Sequence, residues 1–196
     1  MTTLILVRHA QSTPTPDAPE RDWPLSERGR QQALSLAPVL AELGVDVLAS
    51  SPYQRAIDTL APYAAQAGLD TAVHEDLGER RLGGWIESVE AVDAAIARMH
   101  ADPDYCLDGG ETGRACTARF GAALQSVLAA HPGRTIAVGS HGGVIGHLLG
   151  ATVGYDALPP AFWRSIRNPH LFVFDASDGL TWRAERTLDG QAGVRA

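Results

Sequence analysis

Five side chains in this sequence have the types that phosphorus chemistry uses, and each sits beside a turn-prone stretch. They are Arg8 and His9 in LILVRHAQS, Arg55 in SSPYQRAIDT, Glu79 in LGERRLGGW and His141 in GSHGGVIG. A neutral imidazole can attack phosphorus without the repulsion that an anionic nucleophile meets, and a carboxylic acid can protonate the leaving oxygen. Guanidinium forks match phosphate oxygens, each charge pair near a surface being worth on the order of 4 kcal/mol at ~4 Å and an effective dielectric of ~20. Two arginines, two histidines and a carboxylate are therefore an inventory for phosphoryl transfer. Taken singly, each reads more plainly. Arg8 and His9 are a strand end with an interfacial histidine, Arg55 is a solvated helix residue, and Glu79 is an exposed loop carboxylate among Glu75, Asp76 and Glu87.

The elements that must position them follow from periodicity. LILV is a short apolar run that reads as a fully buried strand, and such strands end where α/β proteins bind ligands. After the polar loop Thr13 to Pro24, Ser26 caps a helix with apolar positions Ala33, Leu36, Ala37 and Leu40. VDVLASSP is a second strand, with Ser51 as N-cap and Pro52 as the first residue of a helix running to about Gly68. Residues 90–99 have helical spacing at Val92, Ala95, Ile96 and Met99, and 114–130 have it at Phe120, Ala123, Leu124, Val127 and Leu128. TIAVGSHGGVIGHLLG is a strand, a glycine turn and a helix, and HLFVFDASDGLTWRAER is two strands joined at Asp178-Gly179. This rhythm predicts an α/β domain over 1–196. It is a three-layer αβα sandwich with a mainly parallel central sheet, one antiparallel strand near the C-terminus and a small cap insertion at 86–110.

Composition narrows the partners. The chain has 196 residues, 45% of them hydrophobic, enough for one domain that buries about 70% of its unfolded surface. Net charge is −7 and no basic run occurs, which argues against nucleic acid. All 16 basic residues are arginines, so an anion site here uses guanidinium. The apolar stretch at the N-terminus is too short for a signal peptide or a membrane span, which predicts a cytoplasmic protein with no membrane partner. Cys106 and Cys116 have no ligand spacing and read as free thiols, and no metal or other cofactor is expected. His147 lies six residues after His141, which does not place two ligands on one helix face. DPDY at 102–105 follows no apolar strand and reads as a solvated loop.

With these residues in view, the chain resembles the histidine phosphatase superfamily, the phosphoglycerate mutase-like proteins. Arg8-His9-Ala10-Gln11-Ser12 is similar to the family's leading Arg-His-Gly motif, and LSERGRQQA, SSPYQRAIDT, LGERRLGGW, GGET and SHGGVI resemble its later segments in order, with Asn168 as a further match. The resemblance implies that His9 is the phosphorylated nucleophile, that Arg8, Arg55 and His141 hold the phosphoryl group, and that Glu79 is the proton donor. It further implies substrate contacts from Gln11, Ser12, Thr15, Arg80 and Gly142. No metal is implied. Ala10 replaces the family's usual glycine, Thr15 stands where many members have asparagine, and Trp85-Ile86-Glu87 replaces Trp-Glu-Gly.

The expectation is a metal-independent phosphatase of small phosphomonoesters, with a small-molecule phosphate ester as its partner. A phosphoglycerate mutase is the alternative, and it needs extra cations and a long tail over the site. Here the chain ends soon after its last strand, and Arg80, Arg81 and Arg114 are the candidate extra cations. A non-catalytic phospho-ligand-binding module would be favoured by loss of His9, Arg55 or Glu79, and all three are present. The sequence leaves the particular ester and the oligomeric state open.

Overall fold

The computed structural model describes residues 1–83, 94, 97, 98, 101–188 and 192–194. Its centre is a seven-stranded sheet of β1 (Thr3–Arg8), β2 (Val47–Ser50), β3 (Thr71–Val73), β4 (Thr135–Ser140), β5 (His170–Asp175), β6 (Thr181–Thr187) and β7 (Ala192–Val194), in the order β3-β2-β4-β1-β5-β6-β7. The first four run parallel, as the alternation of strands and helices predicts. β5 is the antiparallel strand near the C-terminus, and the hairpin to β6 and the short β7 continue from it.

β1 lies between β4 and β5, so both its edges are paired, and with helices packed on both its faces Leu4 to Val7 are all fully buried. Alternate side chains serve two cores. Leu4 and Leu6 pack with Phe120, Leu124, Ile145 and Leu149, which come from α3 (Gly113–Ala130) and α4 (Gly142–Val153). Ile5 and Val7 pack with Leu36, Leu40, Leu60 and Tyr63 on the opposite face, from α1 (Glu27–Glu42) and α2 (Gln54–Ala67). Helices on both faces of the sheet make the expected three layers. A last short helix, α5 (Pro160–Ser165), precedes β5.

Helix boundaries mostly follow the sequence signals. The Ser26 hydroxyl accepts the Gly29 N–H at 3.0 Å, and α2 closes on Gly68 in the left-handed region at φ 67°. At Gly29 the α1 backbone comes so close to the His9 loop that an added Cβ would stand 1.9 Å from the Gln11 carbonyl oxygen. One boundary differs. α2 begins at Gln54 with Tyr53 as its N-cap, because Ser51, expected as the cap, turns its hydroxyl toward His141. The helical pattern at Val92, Ala95, Ile96 and Met99 lies outside the described residues, although Ala94, Ala97, Arg98 and Ala101 are helical. DPDY is a surface loop: Asp102 accepts the Asp104 N–H, and Asp104 pairs with exposed Arg114.

Strand register now sets the site. Arg8 on β1 lies level with Ser140 on β4, and Ser50 on β2 lies level with Gly139. The next residues, His9, His141 and Ser51, therefore leave the sheet together at the carboxyl ends of three adjacent parallel strands.

Candidate active site

The His9 backbone is held from several directions. Its N–H donates to the Ser140 carbonyl at 2.9 Å, its carbonyl accepts from Asn168 Nδ2 at 2.7 Å, and the next N–H, that of Ala10, donates to Thr59 Oγ1 at 2.9 Å. The residue is 8% exposed, with ring Nδ1 2.7 Å from the Ala10 carbonyl. A carbonyl can only accept, so Nδ1 bears the hydrogen and Nε2 keeps its lone pair. That lone pair accepts from Arg55 Nε at 3.2 Å. Burial pushes the His9 imidazole down from 6.5 to about 3; the hydrogen bond to the Ala10 carbonyl opposes it, and the charges of Arg55 and Arg8 add to the lowering. His9 is thus a neutral imidazole whose Nε2 lone pair faces Arg55.

His141 is wholly buried and meets the His9 ring edge-on, with centroids 5.2 Å apart. Its Nε2 lies 2.7 Å from Ser51 Oγ, which already accepts the Tyr53 N–H. The Ser51 hydroxyl hydrogen is therefore free to donate to Nε2, which leaves Nδ1 as an N–H. Burial and the neighbouring His9 and arginines hold His141 well below its ordinary value, so it too is neutral. His141 Nδ1 and Arg8 Nε are buried without a hydrogen-bond partner. Two unspent donors beside a neutral imidazole are what a phosphoryl oxygen would meet. Gly142 starts α4 against Arg8: a Cβ there would stand 3.0 Å from Arg8 Nε.

Arg55 is 4% exposed and lies over the Tyr53 ring at 4.7 Å. Its outer nitrogens donate to the Glu20 carbonyl and carboxylate at 2.7 and 2.8 Å. Glu79 accepts three backbone N–H groups, from Arg80 and Val144 at 2.8 Å and from Gly143 at 3.1 Å, which places its carboxyl on the N-terminus of α4. Its sequence neighbours are elsewhere. Glu75 is an exposed partner of Arg21, Asp76 is exposed, and Glu87 lies outside the described residues.

The structure thus brings Arg8, His9, Arg55 and His141 together, with Glu79 and Gly142 on the adjoining helix end. Other expected contact residues are engaged differently. The Arg80 guanidinium is buried and donates to the Glu111 and Tyr105 carbonyls and to His147 Nε2, so each of its three nitrogens already has a partner. Gln11 is exposed and accepts from Ser26, Ser12 bridges to Leu25, and the Thr15 hydroxyl accepts the Asp17 N–H. Sequence reasoning missed Glu20, which sits in a proline-rich loop with no periodicity. It also missed the role of Ser51, whose place before Pro52 matches a helix cap.

Known proteins resemble this chain in sequence and in fold. The family model described as histidine phosphatase superfamily (branch 1) matches residues 4–186. A glucosyl-3-phosphoglycerate phosphatase of Mycobacterium tuberculosis is 30% identical over 179 residues, covering 83% of this chain and 79% of that protein. Phosphoserine phosphatase 1 of Hydrogenobacter thermophilus is 31% identical over 172 residues, covering 83% and 81%. The solved structure of a mycobacterial glucosyl-3-phosphoglycerate phosphatase with VO3 superposes with a TM-score of 0.74 at 27% identity, covering 96% of this chain and 99% of that one.

Proposed function

The chain belongs to branch 1 of the histidine phosphatase superfamily and is a phosphatase of small phosphomonoesters, and we propose that it works without a metal ion, through a phosphohistidine on His9. His9 Nε2 attacks phosphorus in line as the ester oxygen departs, and Glu79 supplies the proton that oxygen needs. Arg55 turns its Nε hydrogen from His9 to a phosphoryl oxygen as attack begins. Arg8 Nε and His141 Nδ1 donate to the equatorial oxygens, where charge develops. In the second half, Glu79 takes a proton from water, and that water breaks the N–P bond. Inorganic phosphate and neutral His9 are returned.

The observation that carries this reading is the neutral His9, its Nε2 lone pair held by Arg55, beside two buried donors that lack partners. Two guanidinium groups at the histidines also repel a divalent cation, while they provide the charge a metal supplies elsewhere. The relatives' names put phosphoserine and glucosyl-3-phosphoglycerate first among esters to assay here.

The test is phosphate release after exhaustive EDTA treatment, first from 4-nitrophenyl phosphate and then from those esters. Turnover is expected to persist. Loss with recovery on adding Mg²⁺ or Zn²⁺ overturns the metal-free mechanism. Given 3-phosphoglycerate with catalytic 2,3-bisphosphoglycerate, phosphate is released faster than the 2-phosphate isomer forms. The reverse order would make the protein a mutase.

A further inference from the structure

Glu79 belongs to no regular element, so something other than a helix or strand must set its position. It follows the 3-10 turn Glu75–Leu77, and a single guanidinium gathers the carbonyls of that stretch. Arg119, on α3, donates through Nη1 to the carbonyls of Asp76 at 2.6 Å and Gly78 at 3.2 Å, and through Nη2 to that of Glu79 itself at 3.3 Å. The other edge of the same fork meets Glu111 side-on, with Nε to Oε1 and Nη2 to Oε2 both at 2.8 Å.

Glu111 is 7% exposed, and burial alone would raise its carboxyl. The hydrogen bonds and charge of Arg119, with help from Arg81, hold it below its ordinary value instead. Its Oε2 also accepts the Arg81 N–H at 3.3 Å, and its main-chain carbonyl takes Arg80 Nε at 2.8 Å. Every residue from Gly78 to Arg81 is thereby tied to one ion pair, with Glu111 buried and Arg119 partly so, or to Glu111's own backbone. GGET, the segment that contains Glu111, has no part in the chemistry described above.

We propose that the Glu111–Arg119 pair is a positioning device for the proton donor, fixing where the Glu79 carboxyl lies against the start of α4 and so whether it reaches the leaving oxygen. This rests on Glu79 being that donor. In this role Glu111 and Arg119 act through the backbone that carries Glu79 and not on substrate. A largely enclosed pair with satisfied hydrogen bonds suits the task, because it holds backbone to a single arrangement whether or not it adds stability.

The test must separate positioning from mere support of the fold. Arg119→Lys keeps the charge but cannot span the Glu111 carboxylate and three carbonyls together. kcat/KM is measured on 4-nitrophenyl phosphate, whose leaving group needs little protonation, and on phosphoserine, whose alkoxide needs a proton. The proteins are wild type, Arg119→Lys, Glu79→Gln and Arg119→Lys/Glu79→Gln. Misplacement by about 1 Å costs up to ~100-fold, so Arg119→Lys should lose roughly 10- to 100-fold more on phosphoserine than on the aryl ester. In the Glu79→Gln background that extra loss should shrink to about twofold or less, because the pair acts through the missing carboxyl.

Equal losses on both esters, or an extra loss that persists without Glu79, overturn the proposal. If Glu79→Gln alone does not favour the aryl ester, Glu79 is not the donor, and the reaction scheme falls along with this inference. Should Arg119→Lys fail to fold, the near-isosteric Glu111→Gln carries the same four-way comparison.

Discussion

His9 should not titrate in the physiological range, and replacing it should change how stability responds to acid. Its imidazole lies near 3 in the folded protein and at 6.5 when free, so the unfolded chain binds a proton between those values that the native chain refuses. The sign follows: full stability is present above 6.5 and is lost as pH falls toward 3. A gap of 3.5 between the two values, at about 1.4 kcal/mol per unit, sets the loss on the order of 5 kcal/mol. That is comparable with the whole stability of many domains. His9→Gln cannot titrate, so its Tm should gain on wild type steadily from pH 7 to pH 4. Ring-labelled NMR checks the cause directly. At pH 5 a group near 3 is about 1% protonated, whereas an ordinary imidazole is about 97% protonated. An acid limb seen in kcat/KM near pH 6 then belongs to the second ionisation of the substrate phosphate, which lies at about 6. A His9 resonance with its midpoint between 6 and 7, or Tm curves of His9→Gln and wild type that stay parallel, would refute the reasoning.

Glu20 occupies the outer edge of Arg55, where a phosphoryl group would have to compete with it, and its carboxylate is half exposed, so the pair is worth about 0.5–1 kcal/mol. Glu20→Gln should tighten inhibition by inorganic phosphate by roughly two- to fivefold; a weaker Ki removes the competition. Asn168→Ala leaves the His9 carbonyl without its side-chain donor, and at about 1 kcal/mol for a lost hydrogen bond kcat should fall roughly fivefold with phosphate inhibition unchanged. An equal weakening of phosphate binding would mean that Asn168 shapes the cradle and not the nucleophile. Glu111 is held below its ordinary value, so its contribution to stability is present above that value and disappears as pH falls through the lower, folded one. Glu111→Gln should therefore lower Tm at pH 7 and narrow the difference from wild type below about pH 4.5, and a constant difference across that window contradicts the pairing.

The strands that build the site were legible because they are buried on both faces and so read as unbroken apolar runs. β3 was not, because only Thr71–Val73 form it at the sheet edge, where Ala72 and Val73 are exposed and no pattern of burial marks them. The reactive residues were legible by type and by their place after those strands, but their second partners were not. Arg80 stands next to Glu79 in sequence, and only the fold shows that its guanidinium is spent on Glu111, Tyr105 and His147. Ser51 before Pro52 has every local mark of a helix cap, yet His141, ninety positions on, takes the hydroxyl. Local signals describe what a residue can do with its neighbours in sequence. Long-range hydrogen bonds decided what these two do.

The central claim is a covalent intermediate on His9, and trapping it is the most direct measurement. Labelled 4-nitrophenyl phosphate is mixed with enzyme, quenched in alkali within one turnover, and the label is located by mass spectrometry of the peptides. One phosphoryl group is expected on His9, stable in alkali, released by mild acid, and absent from His9→Ala. Label on His141 or on a hydroxyl, or a burst of 4-nitrophenol with no phosphoenzyme at all, would contradict it.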